Sequence, residues 1–219
     1  MQVLVIGTSK GTGNLLVRQL LGAGHAVRAM VRDPAQRPAL AELGAEVVVG
    51  DLEGDLDGVV PGVDAVAFCA GSGSATGPDA TLRVDLHGAV RIIDACVEAG
   101  VHRYVQLSSM AAHDPLQGPP AIRHYLAAMH ARDRILVASG LDATIVRPGG
   151  LTNDPGTGRV RFGVPTLGER GSIPRADVAG VLAACLEEPA TIGATFELIG
   201  GDTPIADAIA EVARAGRST

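Results

Sequence analysis

Short aliphatic runs alternate with longer stretches of helical spacing along most of the chain. Residues 3–6 form an unbroken apolar run that reads as a buried strand. A glycine-rich turn follows, and then NLLVRQLLGAG, whose apolar positions recur at helical spacing up to a glycine stop. AVRAMV is a second strand. DPAQRPALAELG opens with Asp33 as an N-cap and Pro34 at the first helical position, and closes at Gly44. AEVVVGD, VDAVAFCAG, HRYVQLSS and DATIVRPGG predict strands three to six. DATLRVDLHGAVRIIDACVEAG and PAIRHYLAAMHARDRILVASG are long helices before strands five and six. From 151 to 175 the pattern breaks into a stretch with many Gly, Pro and Arg residues, a loop with short strands such as RVRFGV. A connection of that length is more often functional than idle. RADVAGVLAACLEE returns to helix, ATFELIG to strand and PIADAIAEVARAG to a last helix, with no repeat and no low-complexity linker.

Strands that alternate with helices imply a parallel sheet with right-handed crossovers. The expected fold is α/β: a Rossmann-type doubly wound parallel sheet in one domain, 1–219. Segment 151–175 and the C-terminal segment would form a small substrate lobe. Composition sharpens this picture. Hydrophobic residues make up 47%, aromatics only 2%, and Trp is missing, so the core is aliphatic, as suits a sheet buried on both faces. A net charge of −6 without a basic stripe argues against a nucleic-acid partner. No apolar run reaches the length of a membrane span. The first strand begins at once, which leaves no room for a signal peptide. Cys69, Cys96 and Cys185 lie far apart within apolar segments and read as free thiols of a cytoplasmic protein, a monomer or homodimer.

The candidate chemistry starts at VLVIGTSKGTG. Gly7, Gly11 and Gly13 make a G-x-x-x-G-x-G turn between the first strand and first helix, with Thr8, Ser9 and Thr12 between them. Such a turn bends sharply, lets a pyrophosphate approach the backbone and packs a helix close to the sheet. The helix N-terminus adds free N–H groups and a positive dipole end. Lys10, the only lysine of the chain, sits inside the turn. Strand two ends at Arg32, where an NAD site usually has an acid that bonds the ribose 2′-hydroxyl. An arginine there attracts a 2′-phosphate instead, and Lys10 can reach the same group from the other side. Two cations from separate segments favour NADP(H) over NAD(H).

GTSKGTG, VVGDL, AFCAG, YVQLSS, HYLAAM, TIVRPGGLTNDPGTGRV and IPRADVAGVLAACL together resemble the atypical short-chain dehydrogenases/reductases, in their small NAD(P)H-binding, NmrA-like and biliverdin-reductase-B-like branch. The resemblance implies that Asp51 and Leu52 border the adenine and that Ala70 and Gly71 line the cofactor. It places Ser108 and Ser109 at the end of strand five, with Ser109 as the active-site hydroxyl, and wraps Pro148 and Gly149 around the nicotinamide. The loop 151–175 would cover a small-molecule substrate.

Catalytic members of that family carry Tyr-x-x-x-Lys. Here Tyr125 is followed by Met129, and no second lysine exists. In the family the lysine anchors the nicotinamide ribose and lowers the tyrosine pKa from about 10. An alcohol oxidation needs the phenol as a base; a carbonyl reduction needs it as an acid, which an unshifted tyrosine already is. The expected activity is therefore reduction of a small carbonyl, enone or quinone-like acceptor, with little dehydrogenase activity. A non-catalytic NADP(H) sensor of NmrA-like type is the rival reading, and a sugar-nucleotide epimerase the third. His113, His124 and His130 read as a polar rim without a metal, and Asp177 as a residue that caps or starts a helix. Arg159, Arg161, Arg170 and Arg175 would meet an anionic substrate or simply solvate the loop.

Overall fold

The aliphatic run after Met1 becomes β1 (Gln2–Ile6), with alternate side chains buried on opposite faces of one sheet. The computed structural model describes residues 1–73 and 76–215. In chain order, β1 is followed by α1 (Gly11–Gly22), β2 (Ala26–Val31), α2 (Arg37–Ala41), β3 (Glu46–Val49) and β4 (Ala65–Phe68). The second half of the winding is α3 (Pro78–Ala80), a π-helical stretch (Thr81–Gly88), α4 (Ala89–Ala99), β5 (Arg103–Leu107), α5 (Arg123–Ala138) and β6 (Asp142–Pro148). After it come β7 (Gly150–Thr152), β8 (Arg159–Gly163), β9 (Ser172–Pro174), α6 (Arg175–Glu187), β10 (Thr195–Gly200), β11 (Thr203–Pro204) and α7 (Ile205–Ala215).

The main sheet has nine strands in the order β11-β8-β10-β6-β5-β4-β1-β2-β3. Strands β3 to β10 across its centre run parallel, in the doubly wound order whose direction reverses between β1 and β4. Val3 and Val5 of β1 face a layer that holds Leu16, Val17 and Leu20 of α1 with Val178 and Leu182 of α6. Leu4 and Ile6 face the other layer, with Ile92 and Ile93 of α4 and Leu136 of α5. Burial on both faces explains why the strands read as continuous apolar runs. Cys96 and Cys185 are free thiols within these layers, and burial pushes both up to about 12.

Three expectations need correction. The sheet is not wholly parallel: β8 runs antiparallel to β10 and β11. RVRFGV is thus the outer extension of the main sheet, with Val160 buried between exposed Arg159 and Arg161. Only β7 and β9 of that segment pair separately, as a two-stranded sheet. The long helix before β5 is not uniformly α-helical, because Thr81–Gly88 winds as a π-helix. Asp177 does not cap α6 but lies in its first turn, since the helix begins at Arg175 after Pro174. Its buried carboxylate instead accepts hydrogen bonds from the Thr157 and Gly158 N–H groups at 2.8–2.9 Å and from the Thr157 hydroxyl at 3.0 Å, tying that turn to the helix.

Two glycines fix how the first helix meets the sheet. Gly7 has φ +92, and a Cβ there would lie 2.6 Å from the Ala70 amide nitrogen at the end of β4. A Cβ on Gly13 would lie 2.2 Å from the Gly7 carbonyl oxygen. Such contacts demand a backbone shift rather than a side-chain adjustment. Gly13→Ala is expected to destabilise the protein by about 1–3 kcal/mol, the usual cost of overpacking. Urea unfolding measures it, and an unchanged midpoint would show that the helix does not need this approach.

Candidate functional site

A cleft of about 680 Å³ opens where the strand order reverses. Open α/β sheets bind ligands there, beyond the carboxyl ends of the strands. Gly7, Thr8, Ser9 and Lys10 line it from the first turn, Arg32 from the end of β2, Asp51 and Leu52 from beyond β3, and Ala70 and Gly71 from beyond β4. Nine of the residues singled out in the sequence thus share one wall-to-wall cavity. Gly11, Thr12 and Gly13 do not line it; they form the first turn of α1 beside it. Ser108, Ser109, Tyr125, Pro148 and Gly149 lie outside it, at and beyond the ends of β5 and β6 and on α5.

The cleft is electrostatically uneven. Lys10 is the N-cap residue of α1 in extended backbone, φ −163, and its side chain makes no capping bond. Among the described residues, neither Lys10 nor Arg32 has a hydrogen-bond or ion-pair partner, and both are exposed. The acids nearby are occupied. Asp33 accepts from the Ala35 N–H at 2.9 Å, as its N-cap reading requires, and Asp51 from the Glu53 N–H at 3.0 Å. Glu53 pairs with Arg83, which also holds Asp79 at 2.8 Å. Lys10 and Arg32 are thus cations of the cleft without a protein partner among the described residues, while Arg83 is paired and Asp33, Asp51 and Glu53 line the same cleft. Thr8 is structural: its buried hydroxyl donates to the Met30 carbonyl at 2.8 Å and ties the turn to β2.

These residues fit a dinucleotide. Gly7 and Gly13 let the turn pack directly on backbone, and at Gly11 a Cβ would meet only the Arg175 side chain, at 3.6–3.7 Å. The α1 N-terminus supplies unpaired N–H groups and the positive end of the helix dipole. The buried hydroxyls of Thr12, in that first turn, and of Thr152, at the end of β7, have no partner among the described residues. A buried hydroxyl without a partner costs free energy, so each is suited to a polar ligand.

The far end of the site rests on a buried polar network. Asp133 of α5, 2% exposed, accepts from the Ser108 hydroxyl at 2.8 Å, the Gln106 amide at 2.7 Å and Arg147 at 2.8–2.9 Å. Ser108 is therefore committed inward, and Ser109, whose hydroxyl donates to the Met110 carbonyl at 3.2 Å, is the one beside Tyr125. Burial pushes the Tyr125 phenol above its usual value; Arg132 opposes this, Asp85 adds to it, and a hydrogen bond with Ser109 opposes it. Met129 is 1% exposed and packs with Ala112, Ala128 and Tyr125, so the lysine position of the family pattern is apolar core.

Sequence reasoning missed Arg132. It lies seven residues after Tyr125, on the same helical face, and is 1% exposed. Its guanidinium donates to the Asp85 and Leu107 carbonyls at 3.2 and 2.7 Å and stacks 5.3 Å from the Phe68 ring. Asp85 comes from the π-helical stretch and accepts from the Ser72 N–H at 3.0 Å. Glu197 of β10 was also missed. It accepts from the Ala111 and Leu167 N–H groups, both at 3.0 Å, and pairs with His113 Nδ1 at 3.2 Å. His130 Nδ1 lies 2.8 Å from the Ala112 carbonyl, while His124 stays exposed. No helix among the described residues is long and apolar enough to cross a membrane.

The same fold recurs in known proteins. A family model described as NAD(P)H-binding matches residues 7–189. The chain is 43% identical over 213 residues to YhfK of Bacillus subtilis (strain 168), which is named as an uncharacterized sugar epimerase; the match covers 95% of this chain and 99% of that protein. A putative NAD-dependent epimerase/dehydratase from Bacillus halodurans superposes with a TM-score of 0.93 at 44% identity, covering 96% of this chain and 99% of that one. The oxidoreductase ylbE from Lactococcus lactis superposes with a TM-score of 0.86 at 26% identity, covering 96% of each. The chain belongs to the NAD(P)H-binding family, in the atypical short-chain dehydrogenase/reductase branch that its motifs resemble.

Proposed function

We propose that this protein is an NADP(H)-dependent reductase of a small carbonyl, enone or quinone-like acceptor. The observation that carries the cofactor preference is that Lys10 and Arg32, from two separate segments, line one cleft and have no partner among the described residues. In this reading the α1 N-terminus, with Gly11, Thr12 and Gly13, holds the pyrophosphate. Asp51, Leu52, Ala70 and Gly71 border the adenine half, and Pro148 and Gly149 the nicotinamide. Bound NADPH supplies the hydride. Tyr125 and Ser109 supply the proton side: the phenol, kept protonated by burial, donates to the developing alkoxide, and Ser109 orients it.

The direction of chemistry follows from the same phenol. A raised pKa extends the pH range over which Tyr125 is an acid and removes it as a base near neutrality. Sugar epimerisation, the activity in the name of YhfK, begins by oxidising a hydroxyl and needs that base. The buried Met129 offers nothing to restore it. Met129 also favours a second reading, a redox sensor that binds NADP(H) without turnover. A panel of aldehydes, enones, quinones and flavins mixed with NADPH separates the two by nicotinamide absorbance. Turnover supports the reductase, and tight NADPH binding with no turnover across the panel supports the sensor.

NADPH is expected to bind at least about tenfold more tightly than NADH, from charge-assisted bonds to the 2′-phosphate. Because both cations are exposed, Lys10→Met or Arg32→Met alone should weaken NADPH by about 3- to 10-fold and leave NADH unchanged. The double replacement should abolish the preference, and calorimetric titration reads the affinity of each of the four proteins for both cofactors. Tyr125→Phe should lower the reductive kcat by about 10²- to 10⁴-fold while the protein stays folded. The reductive rate of the unaltered protein should be level from roughly pH 6 to 9, since an ordinary tyrosine titrates only near 10. Alcohol oxidation should climb with pH over that range; a rate equal to reduction at neutral pH contradicts the assignment.

A further inference from the structure

We infer that Arg175, the first residue of α6, is a pyrophosphate ligand that closes the cofactor turn from the substrate side. The inference rests on the cofactor reading above and adds a residue from a different part of the chain. A Cβ on Gly11 would lie 3.6 Å from Arg175 Nε and 3.7 Å from its Cδ. The guanidinium therefore stands directly over the glycine that opens α1. It is only half-buried, and no carboxylate among the described residues pairs with it. The acid two residues on, Asp177, is spent on Thr157 and Gly158.

The hydrogen-bond inventory points the same way. Nη1 donates to the Leu151 carbonyl at 3.2 Å and to Asn153 Oδ1 at 2.9 Å. Among the described residues, Nε and Nη2 have no partner. Two donors of a rigid fork are thus left beside the N-terminus of a twelve-residue helix, where an anion is already favoured. A planar guanidinium matches phosphate oxygens bidentately. Gly11 makes the approach possible: its positive φ, +65, and missing side chain leave that face of the turn open. Neighbouring Thr152, between the two residues that Arg175 grips, has the buried unpartnered hydroxyl noted above.

The consequence is coupling. Leu151 and Asn153 belong to the segment that follows Pro148 and Gly149, the residues placed beside the nicotinamide. An arginine that grips both this segment and the pyrophosphate makes cofactor binding order the substrate side of the site. The four arginines of the late segment then separate. Arg159 and Arg161 flank an outer strand, Arg161 pairs with Glu169 and Arg170 reaches the Gln117 carbonyl. Arg175 alone of these touches the glycine turn.

The test compares two ligands. NADPH carries the pyrophosphate; adenosine 2′-monophosphate keeps the ribose phosphate and lacks the pyrophosphate. Arg175→Met should weaken NADPH by about 10- to 100-fold and leave adenosine 2′-monophosphate within about twofold, since only the first loses a bond to a charged group. Arg175→Lys should recover part of the loss. Asn153→Ala, which removes a tether of the guanidinium but no charge, should change NADPH affinity by less than about threefold; a loss equal to that of Arg175→Met would show a loop-holding role and overturn the inference. Circular dichroism confirms that each variant is folded, and Arg175→Gln serves if Arg175→Met is not. NADPH affinity unchanged in the arginine variants, or both ligands weakened alike, overturns the inference alone. If the unaltered protein binds neither ligand, the cofactor reading fails and the inference falls with it.

Discussion

The first turn of α1 presses onto the Gly7 carbonyl, and Gly7 onto the Ala70 amide. Nearly everything proposed for this protein depends on that double contact. It brings the ends of β1 and β4 together at the reversal of strand order and sets the helix N-terminus beside the cleft. Only glycine permits it, because any Cβ at these positions would meet backbone within 3 Å. Lys10 and Arg32 line the same cleft, and neither has a partner among the described residues.

The other end of the site is governed by desolvation. Arg132, Asp133 and Arg147 are almost fully buried and hydrogen-bonded to one another's surroundings rather than to water. Such networks are costly when incomplete and rigid when satisfied. This one leaves Arg132 Nε and Gln106 Oε1 without a partner among the described residues, holds Ser108 inward and leaves Ser109 next to Tyr125. The family pattern places a lysine at residue 129 to tune the phenol; here the helix turns a methionine inward and places its cation one turn later, at Arg132, with both Nη atoms bonded to carbonyls. Burial raises the phenol there while Arg132 opposes the rise, and the reduction proposed above uses it as an acid.

The strands, the glycine turn and the cation pair could be read from the sequence because each has a local signature: an apolar run, a spacing of glycines, a residue type at a strand end. The RVRFGV segment was visible as a short strand, but its pairing was not. Its partners β10 and β11 lie far along the chain, so neither the antiparallel direction nor its place in the main sheet has a local mark. Asp177 has the residue type and position of a helix start, yet its bonds go twenty residues back to Thr157. Arg175 stood among four similar arginines in a loop; only the fold places its guanidinium over Gly11. Arg132 was concealed in a helix whose polar pattern reads as solvent-exposed, and Glu197 in a strand that is otherwise apolar.

The central claim is that a cationic pair grips the 2′-phosphate of the cofactor. Phosphorus-31 NMR of bound NADP tests it without reference to activity. A phosphate monoester loses its second proton near about pH 6 in free solution. Two adjacent cations favour the dianion, so the bound 2′-phosphate resonance should titrate at a distinctly lower pH than in the free cofactor. A bound resonance that titrates as it does in free NADP would mean that neither Lys10 nor Arg32 reaches the group, and would contradict the account.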